Sequence, residues 1–332
     1  KGVNTFIPFA PILVEIAQAM GLDAIVGVGI ILLGGAVGFS TGPLNGSTTT
    51  VAQELAGLPL YSGIGYRMVC LVVFAVVTNI YLVRYAMKIK KNPEKSLMHD
   101  IDNQYRTELD LSEIPPMTTR HKLVLLVFVL GVAVMVYGTL KEGFYLTEMS
   151  AVFVIITILS GLIGGLSGDR ICDAFVKGVK DLVWVGLIMG ICKALTNVLT
   201  DANIIDTIIN AMARLLIGLP KSVAACGMFI VQDLINCVIP SGSGQAAVTM
   251  PLMVPLGDLL GINRQVNVLA FQFGDSLTNM VTPAGAKLMA GIAMCHIPYK
   301  KWMKFFLPCF ILWVIIACVL LIIATAINYG PF

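Results

Sequence analysis

The sequence predicts an all-α polytopic membrane protein built from two inverted repeats, each with a re-entrant hairpin and a broken transmembrane helix. Three observations carry that expectation. The chain is 57% hydrophobic and only 12% charged, where a soluble domain carries roughly 25% charged residues. Two apolar runs are interrupted by clusters of Gly, Pro, Asn, Ser and Thr, at residues 38–50 and 274–285. Finally, the stretch Ile-Pro-Ser-Gly-Ser-Gly-Gln-Ala-Ala-Val-Thr-Met-Pro at 239–251 separates apolar runs at 222–239 and 246–260. Each run is shorter than the about 20 residues that a full crossing needs. Such a reversal reads as a hairpin that enters the bilayer and returns. Non-helical backbone at that depth is tolerated only where protein or a water-filled cavity surrounds it.

In chain order, residues 1–87 hold the C-terminal part of the first repeat: a hairpin arm, a broken helix and a span. Apolar sequence begins abruptly at Phe6 and runs to residue 20, with no initiator Met ahead of it. The remainder of this repeat is therefore expected to be missing from the N-terminal side. Residues 24–39 form a helix that enters the first break, where Pro43 and Asn45-Gly46 are breaker chemistry. Helical sequence resumes through 51–55, residues 60–67 read as an interfacial turn, and 68–87 as a span. Residues 88–122 form the long hydrophilic stretch and are expected to be a cytoplasmic linker. The second repeat occupies 123–332. It begins with scaffold helices at 123–181, comprising spans 123–140 and 148–166 and a polar stretch at 168–181. Transport-domain elements follow at 182–292: a span at 182–199, a shorter amphipathic helix, the hairpin, and the helix broken at 274–285. The last span is 305–328.

Internal similarity supports two copies. A shift of 240 residues places Pro11 on Pro251, Gly21 on Gly261 and Val26 on Val266; a shift of 234 places Asn45 on Asn279 and Thr48 on Thr282. Each copy reads as hairpin arm, broken helix, basic interfacial turn and span. With 88–122 inside, the loops on that side hold thirteen Lys and Arg, against five opposite: Arg67, Lys141, Arg214, Lys221 and Arg264. This is the positive-inside bias, and it makes the two hairpins enter from opposite faces.

Inverted repeats with broken helices that meet near the midplane are the pattern of secondary transporters. A helix interrupted in the membrane exposes unpaired N–H groups and partial positive charge at one new end and free carbonyls at the other. The first attracts carboxylates; the second, with Ser, Thr and Asn oxygens, suits Na⁺. The expected substrate-binding residues are Asn4 and Thr5 at the first tip and Asn45, Gly46, Ser47 and Thr48 at the first break. Ser241, Gly242, Ser243, Gly244 and Gln245 follow at the second tip, with Asp275, Thr278, Asn279, Thr282 and Lys287 at the second break. Na⁺, as a coupling ion, is expected near Asn45, Thr48, Asn279 and Thr282. The plainer reading of the Asn and Thr residues is helix capping, and of the serines, turn formation. Asp275 is an ionisable residue at membrane depth and reads as functional; Lys287 could hold a carboxylate, replace a cation or pair with Asp275. Glu54 holds a similar place in the first copy.

The eight cysteines fall mostly in apolar runs without a CxxC pair, and three histidines assemble no metal or haem site. No enzyme motif is present: a Ser with Lys193 or Lys287 would be needed, and nothing else supports it. Nucleic acid is not an expected partner, whereas the lipid bilayer and a small solute are.

With these residues in hand, the chain resembles the anaerobic C4-dicarboxylate carrier (DcuC-like) family, YfcC-type branch, within the ion transporter superfamily. The resemblance rests on the 239–251 motif, on Phe271-Gln-Phe-Gly-Asp-Ser276 and on Gly57-Leu-Pro-Leu-Tyr-Ser-Gly-Ile-Gly65. It implies a homodimer in the bacterial cytoplasmic (inner) membrane, with a scaffold domain and a transport domain that slides as an elevator. It implies a symporter or exchanger for C4-dicarboxylates or amino acids, with arginine/ornithine antiport as the alternative. Relatives often carry acidic residues at the first hairpin tip, where this chain reads Lys1-Gly2-Val3-Asn4-Thr5; that departure weakens the case for a cationic side chain binding there.

Overall fold

All regular structure is helical among the residues that the computed structural model describes, namely 6–43, 45, 48–101, 117–138, 146–204, 207, 211 and 214–330. The chain divides into two units, one formed by residues 1–105 and 185–332 and the other by 106–184. The second unit holds α5 (Thr119–Tyr137), α6 (Leu146–Gly164) and the start of α7 (Gly168–Asp201), with α5 packed on α6. Here the sequence expectation is corrected. Residues 168–181 are no polar loop but the first turns of one 34-residue helix. Ile171, Phe175, Val176 and Val179 alternate with the charges and no proline intervenes, so the backbone ladder continues where charge content alone suggests a loop.

The first unit contains α1 (Ala10–Ala19), α2 (Ala24–Thr41), α3 (Thr49–Leu55) and α4 (Ile64–Lys91). Its later part contains α8 (Lys221–Asn236), α9 (Gly242–Leu259), α10 (Arg264–Leu277), α11 (Ala286–Met294) and α12 (Tyr299–Ala326). The order α1 to α4 recurs as α9 to α12. Helices α2 and α10 begin at 24 and 264, while α4 and α12, each 28 residues long, begin at 64 and 299.

The local chemistry recurs as well. Gly21 (φ +77°) and Gly261 (φ +67°) close α1 and α9 in a left-handed conformation that glycine adopts without steric cost. Two residues later a side-chain oxygen caps the next helix: Asp23 accepts from the Val26 N–H at 3.1 Å, and Asn263 from the Gln265 N–H at 3.0 Å. The half-helices are exchanged. Helix α3 packs on α9 and α10, whereas α11 packs on α1 and α2.

Among the described residues, α2, α4 and α12 are long and apolar enough to cross a membrane. The apolar stretch of α2 is 72% buried, against 28% and 33% for α4 and α12, so α2 is an interior element and the other two present faces suited to lipid. Lipid tails are as apolar as a protein core, so close packing and hydrogen bonds must hold such helices together. Trp302 stacks on Phe306 (centroids 5.7 Å apart), Phe306 meets Trp313 edge-on at 5.3 Å, and Phe74 of α4 lies 5.9 Å from Trp313 and 5.5 Å from Phe273 of α10.

The same aromatics satisfy the second break. The Trp302 indole N–H donates to the Met280 carbonyl at 3.0 Å, and the Tyr299 hydroxyl donates to the Val281 carbonyl. Trp302→Phe keeps the stacking and removes the donor. We expect roughly 1–3 kcal/mol of destabilisation from the stranded carbonyl, read as a lower melting temperature in detergent; an unchanged melt would show that the break does not depend on this bond.

One further expectation is corrected. The turn at 60–67 gives way to α4 at Ile64, and Arg67 is not a water-facing charge on the outer side. It is fully buried and donates to Gln272 Oε1 of α10. The acceptor lies on a distant helix, which a count of charges along the chain cannot register.

Candidate functional site

The two broken helices and the tip of the hairpin meet in one buried place. Helix α2 ends at Thr41, and its last carbonyls are engaged locally. Thr41 Oγ1 donates to the Val37 carbonyl at 2.6 Å, the Gly42 N–H to Gly38 at 3.0 Å, and Asn45 Nδ2 to Phe39 at 3.0 Å. The Gly42 carbonyl instead accepts from Gln272 Nε2 of α10 at 3.1 Å. A chain of polar groups therefore runs from Arg67 through Gln272 to the end of α2. Across the gap, α3 starts at Thr49 without a side-chain cap on its first turn.

The second break is a 3₁₀ turn, Thr278–Met280, between α10 and α11. Asn279 Nδ2 donates to the Asp275 carbonyl at 2.7 Å, and the Ala284 N–H donates to Thr282 Oγ1 at 3.2 Å. Thr278 is held by α8: its N–H donates to Asp233 Oδ1 at 3.2 Å, its hydroxyl to the Asp233 carbonyl at 3.1 Å, and Asn236 Nδ2 donates to that hydroxyl at 2.9 Å. The hairpin tip joins α8 through Gln245, whose Nε2 donates to both the carbonyl and Oε1 of Gln232 at 2.8 Å.

Gly242, the first residue of α9, is where these parts touch. A Cβ there would lie 2.1 Å from Thr48 Cγ2 and 2.8 Å from Asp275 Oδ2, so only a bare backbone fits between the two breaks. The oxygens facing this region are unsatisfied. Thr48 Oγ1, Thr49 Oγ1, Gln245 Oε1 and both carboxylate oxygens of Asp275 are buried without a hydrogen-bond partner. Buried polar groups are nearly always paired, so a cluster of orphaned oxygens marks a place built to receive something. Lys287, in the first turn of α11, projects its ammonium over the Phe39 ring at 4.0 Å from the centroid. It thereby reaches the C-terminal, partially negative end of α2.

The structure thus gathers Thr48, Gly242, Gln245, Asp275 and Lys287 at one place. Asn45, Thr278, Asn279 and Thr282 flank it as capping groups, their side chains engaged with nearby backbone or with α8. Gly244 is partly buried, and Ser241 and Ser243 are exposed. Asn4, Thr5, Gly46 and Ser47 lie outside the described residues. Glu54 is exposed on α3 and has no part in the buried cluster. Sequence reasoning missed Thr49 and the polar face of α8, Gln232, Asp233 and Asn236. Three polar side chains within one turn of an otherwise apolar run were the available signal.

Comparison with known proteins follows the same lines. The profile of the C4-dicarboxylate anaerobic carrier family, DcuC, matches residues 3–326. The chain is 33% identical over 309 residues to an Escherichia coli K12 protein with the provisional name basic amino acid antiporter YfcC; the match covers 90% of this chain and 61% of the relative. It is 35% identical over 320 residues to an uncharacterized Haemophilus influenzae protein, covering 95% of this chain and 62% of that one. The chain therefore spans about three fifths of the length of these curated relatives. Among solved structures, Neisseria gonorrhoeae MtrF, of a class of antimetabolite efflux pumps, aligns with 20% identity and a TM-score of 0.46, over 97% of this chain and 71% of its own. The Alcanivorax borkumensis YdaH transporter aligns with 16% identity and a TM-score of 0.48, over 98% of this chain and 75% of its own. The family match and the apolar helices make this a multi-pass protein of the bacterial inner membrane.

Proposed function

Because the chain belongs to the C4-dicarboxylate anaerobic carrier family, we propose that it is the core of a secondary active transporter for small carboxylate-bearing metabolites, C4-dicarboxylates or amino acids. One observation carries this reading: the hairpin tip at Gly242 bridges Thr48 of the first break and Asp275 of the second, amid buried oxygens that lack partners. Neither a receptor nor a scaffold needs two broken helices held tip to tip. A plain pore would not surround its constriction with a carboxylate and an ammonium.

The exchange of half-helices, α3 onto α9 and α10 and α11 onto α1 and α2, supports the inverted-repeat reading. The matched caps at Asp23 and Asn263 support it too. In such an arrangement the two hairpins act as gates to a site between them. We take the transport elements to move as a body, elevator fashion, against the scaffold helices of a homodimer. Solute movement is driven by Na⁺ or H⁺, or by exchange. The orphaned oxygens of Thr48, Thr49 and Gln245 suit a hard cation. Antiport of basic amino acids is the second reading; the partnerless Asp275 carboxylate and the name carried by the Escherichia coli relative favour it.

Counterflow tests the proposal. Proteoliposomes of the natural full-length protein, preloaded with unlabelled solute, are expected to accumulate labelled succinate or amino acid transiently above equilibrium. Simple equilibration without trans-stimulation is the behaviour of a channel and would reject the reading.

A further inference from the structure

We propose that the site selects solutes bearing one positive and one negative group, with Asp275 meeting the ammonium and Lys287 the carboxylate. This rests on the transporter reading and names its substrate class. Asp275 is 1% exposed and neither of its oxygens has a hydrogen-bond partner. The Lys287 ammonium is held by the face of Phe39, not by a carboxylate. The two groups form no ion pair; among the described residues the ion pairs are Arg264 with Asp258 and Lys301 with Asp100. An opposed carboxylate and ammonium kept apart inside a protein are poorly stabilised unless something stands between them.

The nearby groups do not supply that partner. Asp233 Oδ1 accepts from the Thr278 N–H, and Arg67 donates to Gln272 through Nη1 while its Nε and Nη2 have no partner, so no bond joins it to Asp275. Thr48 and Gln245 add neutral oxygens only. A zwitterion satisfies both charges at once and leaves the net charge of the site unchanged. A dianion brings two carboxylates to one ammonium and sets one of them against Asp275; a dication has the mirror-image problem at Lys287. Rejection through like charge is the stronger half of such specificity.

Solutes of one chain length isolate the effect: 4-aminobutyrate and L-2-aminobutyrate as zwitterions, succinate as dianion and 1,4-diaminobutane as dication. Each is added to the natural full-length protein in Na⁺ or choline buffer, and stabilisation against heat is measured. At least one zwitterion is expected to bind about tenfold more tightly than succinate or diaminobutane, in either buffer. Asp275→Asn is expected to move the ranking toward succinate, and Lys287→Met toward diaminobutane. Succinate ranking first with or without Na⁺, or no stabilisation by either zwitterion, overturns the assignment. A zwitterion that binds only in Na⁺ overturns it as well, because the metal ion would then be the partner of Asp275. The wild-type ranking decides the matter if a variant fails to fold. Zwitterion binding without counterflow by any of the four would reject the transporter reading and leave the charge assignment standing, whereas counterflow led by succinate does the reverse.

Discussion

Gly242→Val is expected to reduce transport by at least about tenfold, a loss of roughly 1.4 kcal/mol in the productive state, while the protein remains folded. The added Cβ alone would stand 2.1 Å from Thr48 Cγ2, 3.2 Å from Thr48 Cβ and 2.8 Å from Asp275 Oδ2. Carbon atoms in comfortable contact are about 3.5–4.0 Å apart, so the tip must withdraw by an amount on the order of 1 Å or more. Helix α9 can do so by hinging outward, because its tip joins α8 mainly through Gln245 and the exposed serines lie beside it. Gly242→Ala should be impaired to a lesser degree. Uptake into proteoliposomes, with size-exclusion elution as the check on folding, measures both. Normal uptake by the valine variant would show that the tip need not approach the two breaks during the cycle.

Asp233→Ala should be the next most damaging change, and Asp233→Asn should restore much of the loss. Asp233 is 6% exposed and receives the Thr278 N–H, the first free donor of the second break. Removing the acceptor strands a buried N–H at a cost of roughly 1–3 kcal/mol. It also loosens the turn that sets the position of Asp275. Asparagine keeps an oxygen in place without the charge. Alanine is therefore expected to lower both melting temperature and uptake, while asparagine preserves uptake. Equal loss in both variants would mean that the charge of Asp233, not its capping bond, is what transport requires, and would move Asp233 from a positioning role into the site itself.

Much of this molecule can be read from residue order alone, and the reason is physical. Water is absent at membrane depth, so every backbone group must be paired within its own segment or by neighbouring protein. Gly, Pro, Asn and Ser clusters in apolar runs are therefore conspicuous, and both breaks and the hairpin tip stand where those clusters stand. The paired caps at Asp23 and Asn263 were implicit in the internal shift of 240 residues, because capping is local chemistry. Membership of the family was legible in the 239–251 motif for the same reason.

Other features depend on contacts between distant residues. Composition could not distinguish a polar loop from the amphipathic first turns of α7, since both carry charge. Arg67 looked like a topology signal until Gln272 supplied its acceptor from another helix. Asn45 and Asn279 were the obvious ligands by symmetry, yet their amides cap backbone carbonyls. Buried oxygens without a partner are found instead on Thr48, Thr49, Gln245 and Asp275, and also on Asn236 and Gln265. Which polar groups are satisfied depends on what folds against them, so local residue order determines where a membrane helix breaks, and only the packed structure decides which atoms at the break are left free to bind.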